Sequence, residues 1–163
     1  YVASLYHLTK SFDSTRPVIG NDGWEHVETD LLTIHDYHRD ATKLAERYGT
    51  LEASWATSGT IGEHGRAILL EDTLVKNQPI LISEFGGIRY NPDAEGWGYQ
   101  QAESSEALLE IYSAMIHAIT PGLAGFCYTQ FADTFQEQNG LLYSDRRPKV
   151  PLEALAKATR AGR

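Results

Sequence analysis

Three acids in this chain each close an apolar run: Asp22 after "RPVIGN", Asp36 after "LLTIH" and Glu84 after "PILIS". A parallel sheet would place such strand ends on one rim. Two carboxyl groups about 5 to 5.5 Å apart can run a retaining glycosidase, one as nucleophile and one as acid/base. Acids at strand ends also simply meet solvent, and the residues alone leave both readings open. The aromatics Trp24, Tyr37, Trp97, Tyr128 and Phe131 stand at or just after the same ends. Their rings can stack on sugar faces or anchor loops. Rim acids mixed with rim aromatics suit a carbohydrate better than a phosphate. No phosphate-cradling loop is visible, since "GTIGEHG" lacks both the spacing and the lysine.

Other chemistries find less support. Six histidines are present, and "HDYH" sets His35 and His38 three apart. No third ligand cluster stands at a recognisable spacing, so neither a metal nor a cofactor is expected. A serine nucleophile would need a Gly-x-Ser-x-Gly elbow, which is missing. Cys127, inside "GLAGFCY", is expected to be a small buried hydrophobe. The net charge of -8 argues against nucleic acid, and Arg146, Arg147 and Lys149 make too short a basic group for a patch. No run approaches the roughly 18 apolar residues that cross a bilayer. No basic region leads into an apolar stretch, so no signal peptide is visible and no membrane partner is expected. A soluble chain follows, with the cytoplasm mildly favoured, although one cysteine does not fix the compartment. At 163 residues beginning with Tyr1, the chain suits one domain and is expected to be a segment of something longer.

The elements that must position these residues follow from periodicity. "YVASLYHLTKSF" has a helical apolar face at 2, 5, 6 and 12. "RPVIGND" and "LLTIHDY" read as strands. "DATKLAERYG" reads as a helix with Asp40 as N-cap and Gly49 as stop. Residues 50 to 63 read as a loop, and "AILLEDTLVKN" as a helix. A strand is expected at 79 to 84, then a loop to about Gly98, and the strongest helix of the chain up to Pro121-Gly122. His117 on that helix is expected to pack, partly buried. "LAGFCYT" is a fourth strand, followed by a long polar and aromatic loop. A final helix, or tail, over 152–163 has Pro151 at its first turn. Alternating strands and helices indicate an α/β fold with buried parallel strands, their C-terminal ends building the site.

"RPVIGNDGWEH", "LLTIHDYH", "QPILISEFGG" and "GFCYTQFADTFQEQNGLLYSDRRPKVP", in this order, resemble the C-terminal half of the catalytic barrel of glycoside hydrolase family 2. That family includes β-galactosidases, β-glucuronidases and β-mannosidases. The resemblance implies strands five to eight of a (β/α)8 TIM barrel over residues 1–163, one partial catalytic domain. It implies Glu84 as the nucleophile that forms the glycosyl-enzyme. His35, Asp36 and Tyr37 resemble sugar-lining residues, Asp22, Trp24 and Glu25 a neighbouring loop, and Tyr128 and Gln130 the last rim. The family's acid/base is a Glu after Asn, and no Asn-Glu pair occurs here. A catalytic fragment that is inactive alone is therefore expected, completed by the remainder of a parent enzyme. Its glucuronidases carry an Asn-x-Lys motif, whereas neither Asn21, Asn77, Asn91 nor Asn139 precedes a lysine at that spacing. A β-galactoside is the favoured substrate. The competing reading is a non-catalytic half-barrel that binds carbohydrate or self-associates through exposed strand edges.

Overall fold

The computed structural model describes residues 1–62, 65–70, 78–93 and 95–161. Strands β1 (Leu32–Asp36), β2 (Ile80–Gly86) and β5 (Gly125–Thr129) form a parallel sheet in the order β1-β2-β5. A second parallel pair joins β3 (Ile88–Arg89) to β4 (Gln100–Gln101). Helices α1 (Val2–Phe12), α2 (Ala41–Tyr48), α3 (Leu51–Ser58), α4 (Ser105–Ile119) and α5 (Leu152–Arg160) complete the chain. No helix among the described residues is long and apolar enough to cross a membrane.

Helix α4 forms where its apolar spacing requires it. Ser104 caps it by accepting from the Ala107 N–H at 3.1 Å. Its buried face presents Leu108, Tyr112, Met115, Ile116 and Ile119. These meet Leu32, Ile34, Ile80, Ile82 and Phe85 from one face of the sheet, with Leu44 and Tyr48 from α2. Each fully buried aliphatic of this kind contributes about 1.5–3 kcal/mol. The opposite sheet face carries His35, Ser83, Glu84 and Cys127. Cys127 is exposed there, not buried as its apolar neighbours suggested. Alternation along β5 sends Phe126 to the core and Cys127 away from it.

Several elements differ from the sequence reading. "RPVIGND" forms no strand. Its backbone is taken up instead by a neighbouring turn: Val18 N–H donates to the Asp30 carboxylate at 2.8 Å, and Asp30 N–H returns to Val18 O at 2.9 Å. The main sheet therefore has three parallel strands among the described residues, where four were expected. Residues 50–63 are not a loop throughout, because Thr50 caps α3 through the Ala53 N–H at 3.1 Å. Within "AILLEDTLVKN", Ala67 and Leu69 make isolated bridges rather than a helical turn, and 71–77 lie outside the described residues. His117 is exposed in the last turn of α4, where a helix C-terminus favours a basic group. Pro151 stands at the N-cap of α5, one place earlier than expected.

Candidate active site

The site grows from an irregularity in β2. Ile34 pairs with Ile82, but His35 pairs with Glu84, so Ser83 is an extra residue in the ladder. Such a bulge re-aims side chains. Ser83 and Glu84, successive in the chain, both turn from the core, while Phe85 returns to it fully buried. Beyond them Gly86 and Gly87 take φ of +91° and +60°. A Cβ at Gly86 would overlap the Tyr128 ring, and one at Gly87 the Tyr99 ring. Glycines therefore follow the acid because two aromatic rings lie against the backbone there.

Glu84 Oε2 accepts a hydrogen bond from the Tyr37 hydroxyl at 2.8 Å and lies 3.4 Å from His35 Nδ1. His35 Nε2 stands 2.9 Å from Asp22 Oδ2. Ser83 Oγ donates to Asp22 Oδ1 at 2.7 Å. Burial pushes the Asp22 carboxyl up, but hydrogen bonds from His35, Thr33 and Ser83 outweigh it and hold the group below the ordinary carboxylate range. Burial, then the bond to Glu84, pushes the Tyr37 phenol far above its usual value, so Tyr37 remains a donor. The Tyr37 ring stacks on Tyr99 with centroids 3.6 Å apart, and Trp97 meets Tyr99 edge-on at 4.6 Å. Trp24 packs edge-on against His35 at 4.8 Å.

Asp22, His35, Tyr37 and Glu84 are thus brought together, with Trp24 beside them. Asp22 arrives from an irregular segment, although a strand end was expected to deliver it. Other sequence candidates are engaged elsewhere. Asp36 is buried on the helical face, accepting from Arg47 at 2.6 Å and from the Tyr48 hydroxyl at 2.8 Å. Tyr128 packs against Phe85 and Tyr112, and its hydroxyl accepts from Ile88 N–H at 3.0 Å. Glu25 pairs with Arg66 at 3.3 Å, and Arg66 lies over the Trp24 ring. The backbone of Gln130 is tied to Asn139 and Leu141. Ser83 and Tyr99 were missed: neither has a sequence signal of its own, and only the bulge and the Gly87 turn bring them in.

The segment beyond β5 is pinned by a buried ion pair. Lys149 Nζ, wholly buried, donates to Asp133 Oδ1 at 2.7 Å and to Gln138 O at 2.8 Å. Burial pushes the Lys149 ammonium down, and Asp133 recovers part of that shift. Asp22, His35 and Glu84 each offer a ligand atom, all within 4.8 Å of one another, so these three could hold a divalent cation that displaced their mutual contacts. Spacing along the chain did not reveal that grouping.

No family model matches this chain, and no curated protein does. Solved structures do. A Faecalibacterium prausnitzii β-glucuronidase superposes with a TM-score of 0.62 at 21% identity, over 98% of this chain and 27% of that one. A Bifidobacterium dentium β-glucuronidase complexed with coumarin-3-O-glucuronide gives 0.60 at 17%, over 96% and 26%. Bacteroides uniformis β-glucuronidase 2, covalently bound to cyclophellitol-6-carboxylate aziridine, gives 0.60 at 17%, over 99% and 20%. The likeness is one of fold. The chain has a mixed α/β fold similar to part of these glycosidases and spans roughly a quarter of their length or less.

Proposed function

We propose that this chain is the nucleophile-bearing, C-terminal half of a family 2-like TIM barrel, from a retaining β-glycosidase acting on neutral hexosides, β-galactosides foremost. The observation that carries the reading is Glu84 at the carboxyl end of the central strand, its Oε2 held by the Tyr37 hydroxyl at 2.8 Å. In the reaction a Glu84 oxygen bonds to the anomeric carbon as the bond to the leaving oxygen breaks, and an acid supplies that oxygen with a proton. Water then cleaves the glycosyl ester. A proton donor needs a raised pKa, whereas Asp22 is held low, so Asp22 does not fill that role. On this reading the acid/base comes from the remainder of a parent enzyme, since no Asn-Glu pair occurs in the chain. The preference for a neutral sugar rests on the missing Asn-x-Lys motif. Arg47 and Arg66, two cations near the site, are already paired with Asp36 and Glu25.

A fluorinated β-galactoside with a good leaving group, given to the native full-length protein, should add one sugar mass to the Glu84 peptide. Glu84→Gln should abolish both labelling and turnover. Labelling at another carboxylate, or near-normal turnover by the variant, would sink the assignment.

A non-catalytic assembly role is the second reading, favoured by unsatisfied surface. β1 and β5 are sheet edges, Cys127 is exposed on the face away from the core, and α1 exposes Leu8 at 52% and Phe12 at 84%. The isolated chain should then be a dimer or larger by light scattering, and a clean monomer counts against it.

A further inference from the structure

The support of the Tyr37 ring deepens the glycosidase reading of Glu84 and rests on it. Tyr37 stands one place beyond the end of β1, past the last rung of its ladder. Its hydroxyl donates to Glu84 at 2.8 Å and is also met by the Thr129 side chain. The direction of the ring is set from its face. Tyr99 lies flat on it, with centroids 3.6 Å apart and planes 13° apart. Gly87 makes room for both rings: at φ +60°, a Cβ there would overlap Tyr99 and press on Tyr37 at 3.3 Å.

Tyr99 is itself fixed by other means. Its backbone N–H donates to Gly87 O at 2.9 Å, and Trp97 meets its ring edge-on at 4.6 Å. Trp97 is tied in turn to Gln136 O at 2.6 Å and to the Gln138 N–H at 2.9 Å. Burial, then the charge of Glu84, pushes the Tyr99 phenol up, so both phenols lie in the field of the same acid.

We propose that Tyr99 is a positioning residue for Glu84, acting through the stacked ring of Tyr37. Functional side chains are held by neighbours that lock their rotamers. A hydrogen bond weakens steeply as its angle departs from the optimum, so a Tyr37 ring free to tilt gives up its contact with Oε2. Tyr99 need not touch the sugar for this.

The test pairs crystal structures of the 163-residue chain with kinetics of the parent enzyme. In Tyr99→Leu the Tyr37 ring should tilt and its hydroxyl leave hydrogen-bond distance of Glu84, whereas Tyr99→Phe should keep the stack and the bond. In the parent, Tyr99→Leu should lower kcat about tenfold with KM little changed, because a hydrogen bond to a charged group is lost. Tyr99→Phe should recover most of that loss. Added to Tyr37→Phe, Tyr99→Leu should cost nothing more, since residues acting through one bond are not additive. A Tyr37 hydroxyl still bonded to Glu84 in Tyr99→Leu, or losses that multiply, would overturn the proposal. So would a Tyr99→Phe as slow as Tyr99→Leu, which would place the role in the Tyr99 hydroxyl. A tilted ring in a parent without glycosidase turnover would retire the hydrolase reading and keep Tyr99 as the support of Tyr37.

Discussion

Lys149→Met keeps most of the side-chain volume and removes only the ammonium. In the wild type that ammonium is wholly buried and donates to Asp133 and to Gln138 O. The variant strands a carboxylate that is 6% exposed, with Gly140 N–H at 2.9 Å as its remaining hydrogen-bond donor among the contacts described. Breaking a buried pair from one side costs about 3–5 kcal/mol. That is a large share of the roughly 5–15 kcal/mol that holds a domain folded. With a urea slope of about 2 kcal/mol/M, about 4 kcal/mol moves the unfolding midpoint down by about 2 M. Tryptophan fluorescence should follow it, because the Trp97 backbone N–H bonds at 2.6 Å to Gln136 O, a residue of the pinned segment. Adding Asp133→Asn removes the stranded charge, so the double variant should cost less than the two single losses summed. A midpoint shift below about 0.5 M for Lys149→Met would refute the reasoning, because a buried pair broken from one side cannot be that cheap.

Tyr37→Phe deletes one hydroxyl from Glu84; hydrogen bonds to charged groups are worth about 1.5–3 kcal/mol. On the proposed role of Glu84, turnover by the parent enzyme should fall about 10- to 100-fold, while far-UV circular dichroism of the chain stays unchanged. Asp30 accepts from Tyr6, Lys10 and Val18 N–H, and those bonds hold its carboxyl below the usual value of 3.8. A lowered carboxylate stabilises the fold fully above its ordinary value, and that contribution is lost as pH falls through the folded value. Asp30→Asn should therefore be less stable than wild type at pH 7 but lose less between pH 5 and pH 2, as read from guanidinium midpoints at each pH.

The strands β1, β2 and β5 and the helix α4 were legible because their apolar periodicity coincides with a buried face. α3 was not, since its buried positions are Ser54 and Ser58, whose hydroxyls bond to the carbonyls of Gly122 and Ser54. Serines read as loop when their partners are out of sight. "RPVIGND" failed for the converse reason: it looks apolar, yet its hydrogen bonds go to Asp30. At the site, period-two alternation already separates His35 and Tyr37 from Asp36, and the structure does likewise. Tyr128 could not be sorted that way, because its partners Ile88 and Gly86 reach it only through the glycine turn. The place of Glu84 near the end of β2 was legible, but the Ser83 bond to Asp22 was not, since a bulge leaves no mark in composition.

That bulge has a wider consequence. A regular pleat limits a strand to one side chain per face every two residues, about 6.6–6.8 Å. By admitting one residue more, β2 crowds two polar side chains into the space of one and uses the additional one to hold Asp22. Deleting Ser83 would leave Glu84 facing the same way, for the pleat would then be regular, yet it would unfasten Asp22. With Ser83 present, the bulge is what keeps Glu84 from following Ile80 and Ile82 into the core; without it, the acid would keep its direction and lose its fastened neighbour.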